Sequence, residues 1–547
     1  MKNIFFLILL ILSSKIFPQV ENISAEDEVY PFLKMLYLKG SIKKYDDNML
    51  PLSKGAVLSL LNEAELNKNL LSNTESKYLE QELKKISSPS GTYSILNSNS
   101  NEISLSSDTS FIFLYFAKDS SSTIFVNPII ENQFIYSFEQ NSSTNLFNLG
   151  GKISGTYDNF LGFYLSVSNG VASGNRSIAD LNKTILQNFT FNNTKINYFD
   201  NTEGYIRIQK GDLGIQAGRE RVLMGRGINR MFLSTNPPIF DFLRFNFSFG
   251  ILSINSLHGW LVQPTYSTYD SLLQATIKNK NSKFIAIDRV AIDPNNNLSF
   301  GITQTIIYAN RPFELAYLNP FLFWESAQRS LNDLDNSFLA FDVRYKIKNG
   351  LELYSVINFD DIDFKTIKTE GFGSIQTRFA FQLGLNIAYP LLPQNLIFTT
   401  EYFVLRPYVY SHIGSGESLT YTNNTFELGP DFQPNSIRIS NHLLWYITNR
   451  FNISCEYDNT RHGNNIYDIS GNLLRNVGGN INDFFREGDS RITKILDGQL
   501  ETINNYKVEF EYEFKLGFYL NLHYEYLESS LNPNENYVWC SFRFKIF

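Results

Sequence analysis

Residues 505–528 read NYKVEFEYEFKLGFYLNLHYEYLE, in which every second residue is apolar on both sides of a turn near Gly517. A period of two residues is that of a β-strand, so the segment is predicted to be a hairpin. One face of the first strand is apolar from Tyr506 to Phe514, whereas the other carries only Lys and Glu. A soluble sandwich can also alternate in this way. Strands of about ten residues with an aromatic face and a charged face are, however, typical of a membrane β-barrel with a wet interior.

The composition is consistent with a barrel and argues against a helical membrane protein. The chain has 547 residues, of which 15% are aromatic and 18% are charged, whereas soluble domains carry about 25% charged residues. Its mean hydropathy is nevertheless slightly negative, at -0.19. A membrane-spanning helix needs about 20 apolar residues, and the longest apolar run is IFFLILLIL at residues 4–12. This run is predicted to be the core of a secretory signal peptide covering residues 1–20.

Charge, cysteine and histidine content exclude several functional classes. A net charge of -7 gives no basic patch, so nucleic-acid binding is not expected. Cys455 and Cys540 fall on apolar positions of predicted strands and are interpreted as small wall residues rather than as a disulfide. The five histidines show no metal-ligand spacing, and the chain has no G-x-S-x-G motif. We therefore expect no catalytic residue, no metal and no cofactor.

Residues 25–90 differ from the rest because their apolar residues follow helical spacing. VYPFLKMLYLKG ends at Gly40, which suits a helix C-cap. KGAVLSLLNEAEL follows Ser53, and a third helix is expected to open at Thr74 and to run to Ile86. We predict a small periplasmic α-helical bundle. Two interpretations stay open, namely an appendage packed on the barrel mouth and a plug or docking element with its own role.

Residues 91–547 alternate predicted strands with turns, and they predict an all-β transmembrane barrel. Residues such as Gly211, Gly250 and the pair Asn349–Gly350 mark tight turns between alternating segments. Longer polar connections, such as 173–201 and 461–504, lie between the hairpins. Short turns on one side and long loops on the other are typical of the bacterial outer membrane. At about 25 residues per strand, the segment gives about 18 antiparallel strands.

The segment AGRERVLMGRGINRMFLSTNPPIFDFLRFNF, residues 217–247, begins as a strand and then breaks, because Pro237 and Pro238 cannot pair in a ladder. Gly225 and Gly227 permit unusual backbone angles there. We predict a cationic loop inside the barrel or across its mouth, with arginines placed to hold an anionic or polyhydroxylated chain. An internal salt-bridge network is the alternative, and it is favoured for any single arginine. The candidate ligand-binding residues are Arg219, Arg221, Arg226, Arg230, Asp241 and Arg244.

Two further segments mix aromatic and hydrogen-bonding residues. Residues 308–345 contain FELAYLNPFLFWES, which suits stacking on sugar rings and suits the aromatic girdle of a barrel equally well. Residues 405–440 form a long predicted loop between two strands. The candidate ligand-binding residues of these segments are Glu314, Asn319, Trp324, Tyr408, His412 and Asp431.

These three segments, with YLKG and PLSK in the helical leader, resemble the capsule assembly Wzi family of outer-membrane β-barrels, particularly its Bacteroidetes-type members. The matching pieces are GRERVLMGRGINRMFLSTNPPIFDFLRF, ELAYLNPFLFWES followed by DNSFLAFDVRY, and PYVYSH with ELGPDF. They keep the order and spacing of the family motifs over nearly the whole mature chain. Met224 stands where the family's tryptophan is expected.

The resemblance implies a non-enzymatic outer-membrane protein that binds or organises surface polysaccharide during capsule assembly or attachment. Its expected partners are outer-membrane lipid, the polysaccharide and, through the periplasmic helices, the capsule export machinery, with the protein itself a monomer. The charged inner face of the hairpins leaves one alternative, an outer-membrane porin or substrate-specific diffusion channel. In a plugged barrel, the charged face of the 505–528 hairpin is expected to pack against the arginine-rich loop.

Overall fold

The computed structural model describes residues 19–87, 92–94, 115–119, 121–183, 185, 190–192, 196–263, 266–270, 274–279, 281–333, 335–362, 364–412 and 416–544. Nearly all of the signal peptide expected at residues 1–20 lies outside these residues. Within the described ranges, no helix is long and apolar enough to cross a membrane.

The barrel wall has 18 antiparallel strands in the described part of the chain. They are β1 (Thr123–Ser137), β2 (Ser142–Tyr157), β3 (Leu161–Gly174), β4 (Ile196–Lys210), β5 (Leu213–Arg219), β6 (Asp241–Phe249), β7 (Leu252–Leu261), β8 (Lys283–Asn295), β9 (Leu298–Ala309), β10 (Asn336–Lys348), β11 (Leu351–Asp361), β12 (Arg378–Ala388), β13 (Leu396–Leu405), β14 (Ser436–Tyr446), β15 (Phe451–Asn464), β16 (Gln499–Lys515), β17 (Phe518–Ser529) and β18 (Glu535–Phe544). The wall closes because β18 pairs with β1, from Tyr537 opposite Ser137 to Phe544 opposite Ile130. The predicted barrel of about 18 strands is confirmed.

Helices and short strands complete the described structure. The helices are α1 (Val29–Lys39), α2 (Lys54–Leu66), α3 (Asn73–Ile86), α4 (Arg176–Ala179), α5 (Trp324–Leu331) and α6 (Phe364–Glu370), with 3-10 turns at Lys68–Leu70, Leu315–Leu318, Gly371–Gly373 and Gly416–Leu419. The short strands are Met49–Leu50, Thr92–Ser94, Tyr115–Lys118, Thr190–Asn192, Leu223–Met224, Tyr266–Asp270, Ala275–Asn279, Thr422–Asn423, Phe426–Glu427, Ile466–Tyr467 and Leu473–Arg475. The first three helices therefore precede the barrel.

The two ends of the barrel differ in the length of their connections. At the short-turn end, tight turns such as 211–212 and 349–350 join the strands, as the sequence predicts. At the long-loop end, the connections are 138–141, 175–195, 220–240, 262–282, 310–335, 362–377, 406–435, 465–498 and 530–534. The predicted connections 173–201 and 461–504 are shorter than expected, because β3, β4, β15 and β16 extend into them.

The hairpin at residues 505–528 forms part of the wall, with an apolar face outward and a charged face inward. Its strands β16 and β17 pair with Tyr506 opposite Tyr526. Tyr506 points outward and is 41% exposed, whereas Glu511 and Glu513 point inward and are buried. The outer face therefore provides the apolar surface that a lipid bilayer requires.

Helices α1–α3 lie inside the short-turn end of the barrel. The Tyr37 hydroxyl donates to the Asn296 carbonyl at 3.1 Å, and the Gly350 N–H donates to the Leu38 carbonyl at 2.8 Å. Because the wall surrounds it, α1 is buried on every side rather than along one face. It is followed by Gly40 at a φ of 90°, which is the C-cap that the sequence predicts.

The third helix begins slightly earlier than expected. Ser72, rather than Thr74, is the N-cap, and the helix starts at the next residue. The Ser72 hydroxyl accepts from the Glu75 N–H at 3.1 Å, and the Glu75 carboxylate accepts from the Ser72 N–H at 2.7 Å. This reciprocal capping box satisfies two backbone donors, which explains why Ser72 is preferred to Thr74.

An apolar core fills one side of the lumen next to the helices. The 220–240 loop and the described parts of the 406–435 loop fold inward from the long-loop end, and Met49–Leu50 pairs with Leu223–Met224. On the wall, the members of this core lie on β6–β13. The two loops and the strand Leu223–Met224 contribute Val222, Met224, Met231, Phe232, Leu233, Phe240, Val409, Tyr410, Leu419, Tyr421, Leu428 and Phe432.

The opposite wall, β14–β18, keeps many inward charged side chains partly exposed to the lumen. The expectation that the charged face of the 505–528 hairpin packs against the arginine-rich loop is wrong. Glu513 instead contacts Lys85 of α3 at 3.1 Å, and Glu511 contacts Arg543 of β18 at 3.0 Å. The physical reason is that the inner loops pack on the inner faces of β6–β13, where their apolar side chains join the core and Arg226 reaches Asp342.

Candidate functional site

The 220–240 loop makes a sharp turn against the wall at Gly227. This glycine has a φ of 74°, and a Cβ there would collide with the Glu401 carboxylate. The same carboxylate accepts hydrogen bonds from the N–H groups of Ile228 at 3.0 Å and Asn229 at 3.1 Å. The inner loop is thereby fixed to β13.

Two buried arginines join the 220–240 loop, called the inner loop, to the N-terminal segment, residues 19–54, and to the wall. Arg226 of the loop and Arg289 of β8 both donate to Asp342 of β10, at 2.9 and 2.8 Å, and the side chains of all three are 1% exposed. Arg226 also contacts Asp46 of the N-terminal segment. Burial alone would raise the pKa of Asp46, but Arg226, Arg289 and Arg344 outweigh it and hold this pKa well below its usual range.

Three further arginines of the predicted cationic segment point into the protein and bond to backbone carbonyls. Arg230 donates to the Asp47 carbonyl at 2.6 Å, and Arg244 donates to the Pro51 carbonyl at 3.1 Å. Arg221 donates to a carbonyl within its own loop. Arg230 thereby joins the inner loop to the N-terminal segment, and Arg244 joins β6 to the same segment.

Arg219 and Asp241 lie apart from the other predicted residues. They face each other across β5 and β6, and Arg219 donates two hydrogen bonds to the Asp241 carboxylate, at 2.8 and 3.0 Å. Their side chains are 45% and 59% exposed on the outer side of the wall. The structure therefore does not bring them to the lumen.

Residues 313–327 fold over the outer side of the wall, where they cover parts of β8 and β9. Trp324 is 1% exposed, and its indole N–H donates to the Asn319 carbonyl at 3.1 Å. Glu314 accepts a hydrogen bond from the Ala316 N–H at 3.5 Å at the start of the 3-10 turn. The predicted residues of this segment thus serve its own packing and lie away from the lumen.

The three candidate ligand-binding residues of the 406–435 loop also lie apart from one another. The Tyr408 hydroxyl is buried and donates to the Asn476 carbonyl at 3.0 Å, while His412 is half-buried. Asp431 accepts a hydrogen bond from Arg438 at 2.7 Å. Arg438 holds the pKa of Asp431 well below its usual range.

A polar cavity of about 220 Å³ lies between the inner loops and the partly exposed wall. Of the predicted ligand-binding residues, Asp431 lines it. The other polar residues of its lining are Asn229, Ser234, Thr235, Ser440, Asn441, His442, Glu456, Asp458 and Lys507. This cavity offers hydrogen-bonding groups but lies within the barrel.

A second polar pocket, of about 240 Å³, lies in the 465–498 loop at the long-loop end. Arg475 donates to Asp497 at 2.6 Å, and the two side chains are 56% and 35% exposed. The lining residues are Leu474, Arg475, Asn476, Val477, Gly488, Asp489, Ser490, Ile492, Thr493 and Asp497. This pocket, called the loop pocket below, combines charged donors and acceptors with apolar rim residues.

Hydrogen bonds to neighbouring segments hold the loop pocket in shape. The Asn476 side chain donates to the Phe484 carbonyl at 3.0 Å, which ties a lining residue to a neighbouring part of the same loop. The Thr493 N–H donates to the Gly373 carbonyl at 2.8 Å, which ties the pocket to the 362–377 connection. Such anchoring reduces the conformational freedom that a ligand would otherwise have to restrict.

The loop pocket was missed by sequence reasoning, which treated 461–504 only as a polar connection. One available signal was its length, because loops longer than about 12–15 residues are usually functional or disordered. The other was the mixture of Arg, Asn, Asp and Gly in GNLLRNVGGNINDFFREGDSR.

The buried carboxyl of Glu220 should make the contact between the inner loop and the N-terminal segment depend on pH. Its carboxyl accepts hydrogen bonds from Asn22 and Gln216, both at 2.8 Å, and burial raises its pKa to about 7. Because the folded pKa exceeds the usual value of 4.5, the stabilisation is full below pH 4.5 and is lost as the pH rises through 7. We expect the free energy of opening of residues 19–54 to fall by up to ~3 kcal/mol between pH 5 and 8. Protection of these residues from protease should fall over the same range.

Glu220→Gln keeps the shape of the side chain and removes the titration, so it should flatten this pH dependence. Glu26→Gln serves as the control, since the Glu26 side chain is 53% exposed. An equal pH dependence in wild type and in Glu220→Gln would contradict the assignment.

A closed wall of 18 strands with an apolar outer face defines an outer-membrane β-barrel protein. The family model for the capsule assembly protein Wzi matches residues 139–536. The chain therefore belongs to the Wzi family of capsule assembly proteins and lies in the bacterial outer membrane, as the sequence predicts.

Solved structures with a similar fold include Escherichia coli Wzi, an outer membrane protein involved in group 1 capsule assembly and a carbohydrate-binding β-barrel. This match covers 96% of this chain and 99% of that chain, with 10% identity and a TM-score of 0.56. Pseudomonas aeruginosa OprD matches over 77% of this chain and 92% of its own, with 11% identity and a TM-score of 0.41. Pseudomonas aeruginosa OpdL matches over 78% of this chain and 98% of its own, with 8% identity and a TM-score of 0.42. No curated protein matches the chain.

Proposed function

We propose that this protein binds or organises surface polysaccharide at the long-loop end of the barrel, and that it does so without catalysing a reaction. The observation that carries the proposal is the loop pocket, which places charged and hydrogen-bonding groups on the side of the barrel that carries the long connections. Membership of the Wzi family supports it, and so does the fold shared with a carbohydrate-binding barrel.

The chemistry of the loop pocket suits a polyhydroxylated chain. Arg475 presents a forked set of donors that fits hydroxyl or carboxylate oxygens of a sugar. Asp489 and Asp497 accept hydrogen bonds from sugar hydroxyls, while the half-exposed Leu474 and Ile492 border the pocket. Placed polar groups of this kind fix the orientation of a bound ligand.

The short-turn end faces the periplasm in this proposal, since short turns lie on that side in bacterial barrels. Helices α1–α3 would then meet any export machinery that delivers the polysaccharide from within. The protein acts as a monomer, with its apolar outer face in contact with lipid.

Equilibrium binding tests the proposal with purified, detergent-solubilised protein. The probe is the capsular or other surface polysaccharide isolated from the cells that make the protein, and an unrelated neutral dextran is the control. Saturable binding to the native polysaccharide is expected. Equal binding to both glycans, or to neither, would contradict the proposal.

A diffusion channel is the second candidate, because the inward side chains of β14–β18 are partly exposed to the lumen. The bundle and the two inner loops occupy much of the interior, so we expect no stable large conductance. Single-channel recording in a planar bilayer checks this expectation. Steady openings of porin size in the intact protein would favour the channel instead.

A further inference from the structure

The outward face of β9 changes from exposed to buried along a single strand. Phe300 and Ile302 are 48% and 51% exposed, as expected of a lipid-facing wall. Ile306 and Tyr308 occupy the same face but are 1% and 0% exposed. Something other than lipid therefore covers the part of this face near the long-loop end.

The cover is the chain's own segment 313–331, which includes α5. Tyr317 packs on Tyr308 with ring centroids 5.3 Å apart, and Trp324 packs on Tyr317 at 6.1 Å. Further along the strand, the Gln304 side chain donates to the Leu322 carbonyl at 2.9 Å and accepts from the Trp324 N–H at 3.1 Å. The segment therefore runs along the outside of the wall as far as Gln304.

The tip of the segment, residues 321–323, lies well below the end of the wall. Gln304 lies five residues before Ala309, the end of β9, which corresponds to about 17 Å along the strand. Strands in such barrels tilt by about 40°, so the tip lies about 13 Å below the end of β9 along the barrel axis, and the apolar band of such a wall is about 25 Å tall. Without the cover, the outward side chains of Gln304 and Asp288 would face hydrocarbon at this depth, which is costly for polar groups.

The exposed residues of the segment differ between its tip and the far end of α5. At the tip, Phe321 is 78% exposed and Phe323 is 52% exposed. At the far end of α5, the Arg329 side chain is 79% exposed, and the chain then returns to the start of β10 at the rim. Leu315, beside Tyr308, is also 72% exposed, so exposed apolar residues continue along the segment to its tip, while the exposed cation Arg329 lies towards the rim, as at a membrane–water boundary.

We propose that segment 313–331 is embedded in the outer leaflet of the membrane and that its tip, Phe321 and Phe323, contacts lipid acyl chains. The tip continues the bare lipid-facing wall, because Ile302 and its paired residue Phe341 are both exposed next to it. Exposed phenylalanines that continue a lipid-facing wall form the contiguous apolar surface that marks a membrane contact. The interaction is independent of the polysaccharide and of the loop pocket.

Site-directed spin labelling of the full chain in dimyristoylphosphatidylcholine vesicles tests the proposal. The background carries Cys455→Ala and Cys540→Ala, and single labels are placed with Phe321→Cys, Ile302→Cys and Arg329→Cys. Position 302 is the lipid-facing reference and position 329 the rim reference. Collision rates with oxygen, which partitions into lipid, and with a water-soluble nickel chelate are then compared.

The label at position 321 should resemble that at position 302, with oxygen collisions at least several-fold above those of position 329. A label at 321 that resembles position 329 would overturn the proposal. So would protection from both reagents with spin–spin broadening that disappears on dilution with unlabelled protein, because this result would indicate contact between copies. If Phe321→Cys does not fold, Phe323→Cys gives the same readout.

Discussion

Replacing Asp342 with asparagine is expected to release the inner loop and the N-terminal segment from the wall. The change leaves Arg226 and Arg289 buried with Asp46 as their remaining shared carboxylate. Breaking a buried charge network in this way costs about 3–5 kcal/mol. Hydrogen exchange measures the effect, and protection of residues 43–50 and 222–233 should fall by about 10²- to 10³-fold while the barrel strands stay protected.

Asp293→Asn is the matched control for this prediction. Asp293 also pairs an N-terminal residue with the wall, since Lys44 contacts it at 2.7 Å, but the Lys44 side chain is 44% exposed. The Asp293 side chain is 6% exposed, but water reaches its partner Lys44, so this single pair should contribute less than the fully buried Asp342 network, and the control should lower protection less than Asp342→Asn does. Equal losses in the two variants would show that burial of the Asp342 network has no special role.

Replacing Arg475 with alanine is expected to weaken polysaccharide binding by about 10- to 100-fold, the effect of losing one charge-assisted hydrogen bond or more. The loop itself should survive, because the Arg475–Asp497 pair is largely exposed and contributes little to folding. Binding of the purified variant to the isolated polysaccharide, measured by calorimetry, gives the affinity.

Arg176→Ala is the control, since Arg176 lies in another connection of the long-loop end and pairs with Asp180. The side chains of that pair are 56% and 35% exposed, as are those of Arg475 and Asp497. Unchanged affinity is expected for the control. If Arg475→Ala binds as well as Arg176→Ala, the loop pocket is not the site, and the lumenal cavity beside Asp431 becomes the next candidate.

The wall of this protein was predictable from sequence because its determinants are local. Alternation from Tyr506 to Phe514 specifies a strand with one apolar face, and Asn349–Gly350 specifies a tight turn, without reference to distant residues. Gly40 marks the end of α1 for the same reason. Ser72 and Thr74 are both acceptable caps, and Glu75 decides between them.

The positions of the long connections were not predictable, because they depend on contacts between distant residues. FELAYLNPFLFWES suits a sugar platform or an aromatic girdle, and its place outside the wall depends on the outward Gln304. Arg226 was expected in a cationic loop, but its partner Asp342 lies 116 residues away. The loop pocket likewise forms only when residues 465–498 fold back against the 362–377 connection.

The amount of polysaccharide retained on cells tests the central claim most directly. Cell-bound and shed polysaccharide are measured in the parent strain, in a strain that lacks the gene, and in that strain complemented with wild type or with Arg475→Ala. We expect the deletion to shift polysaccharide from the cells to the medium, wild type to reverse the shift, and Arg475→Ala to reverse it only weakly. Unchanged retention after deletion would contradict the account.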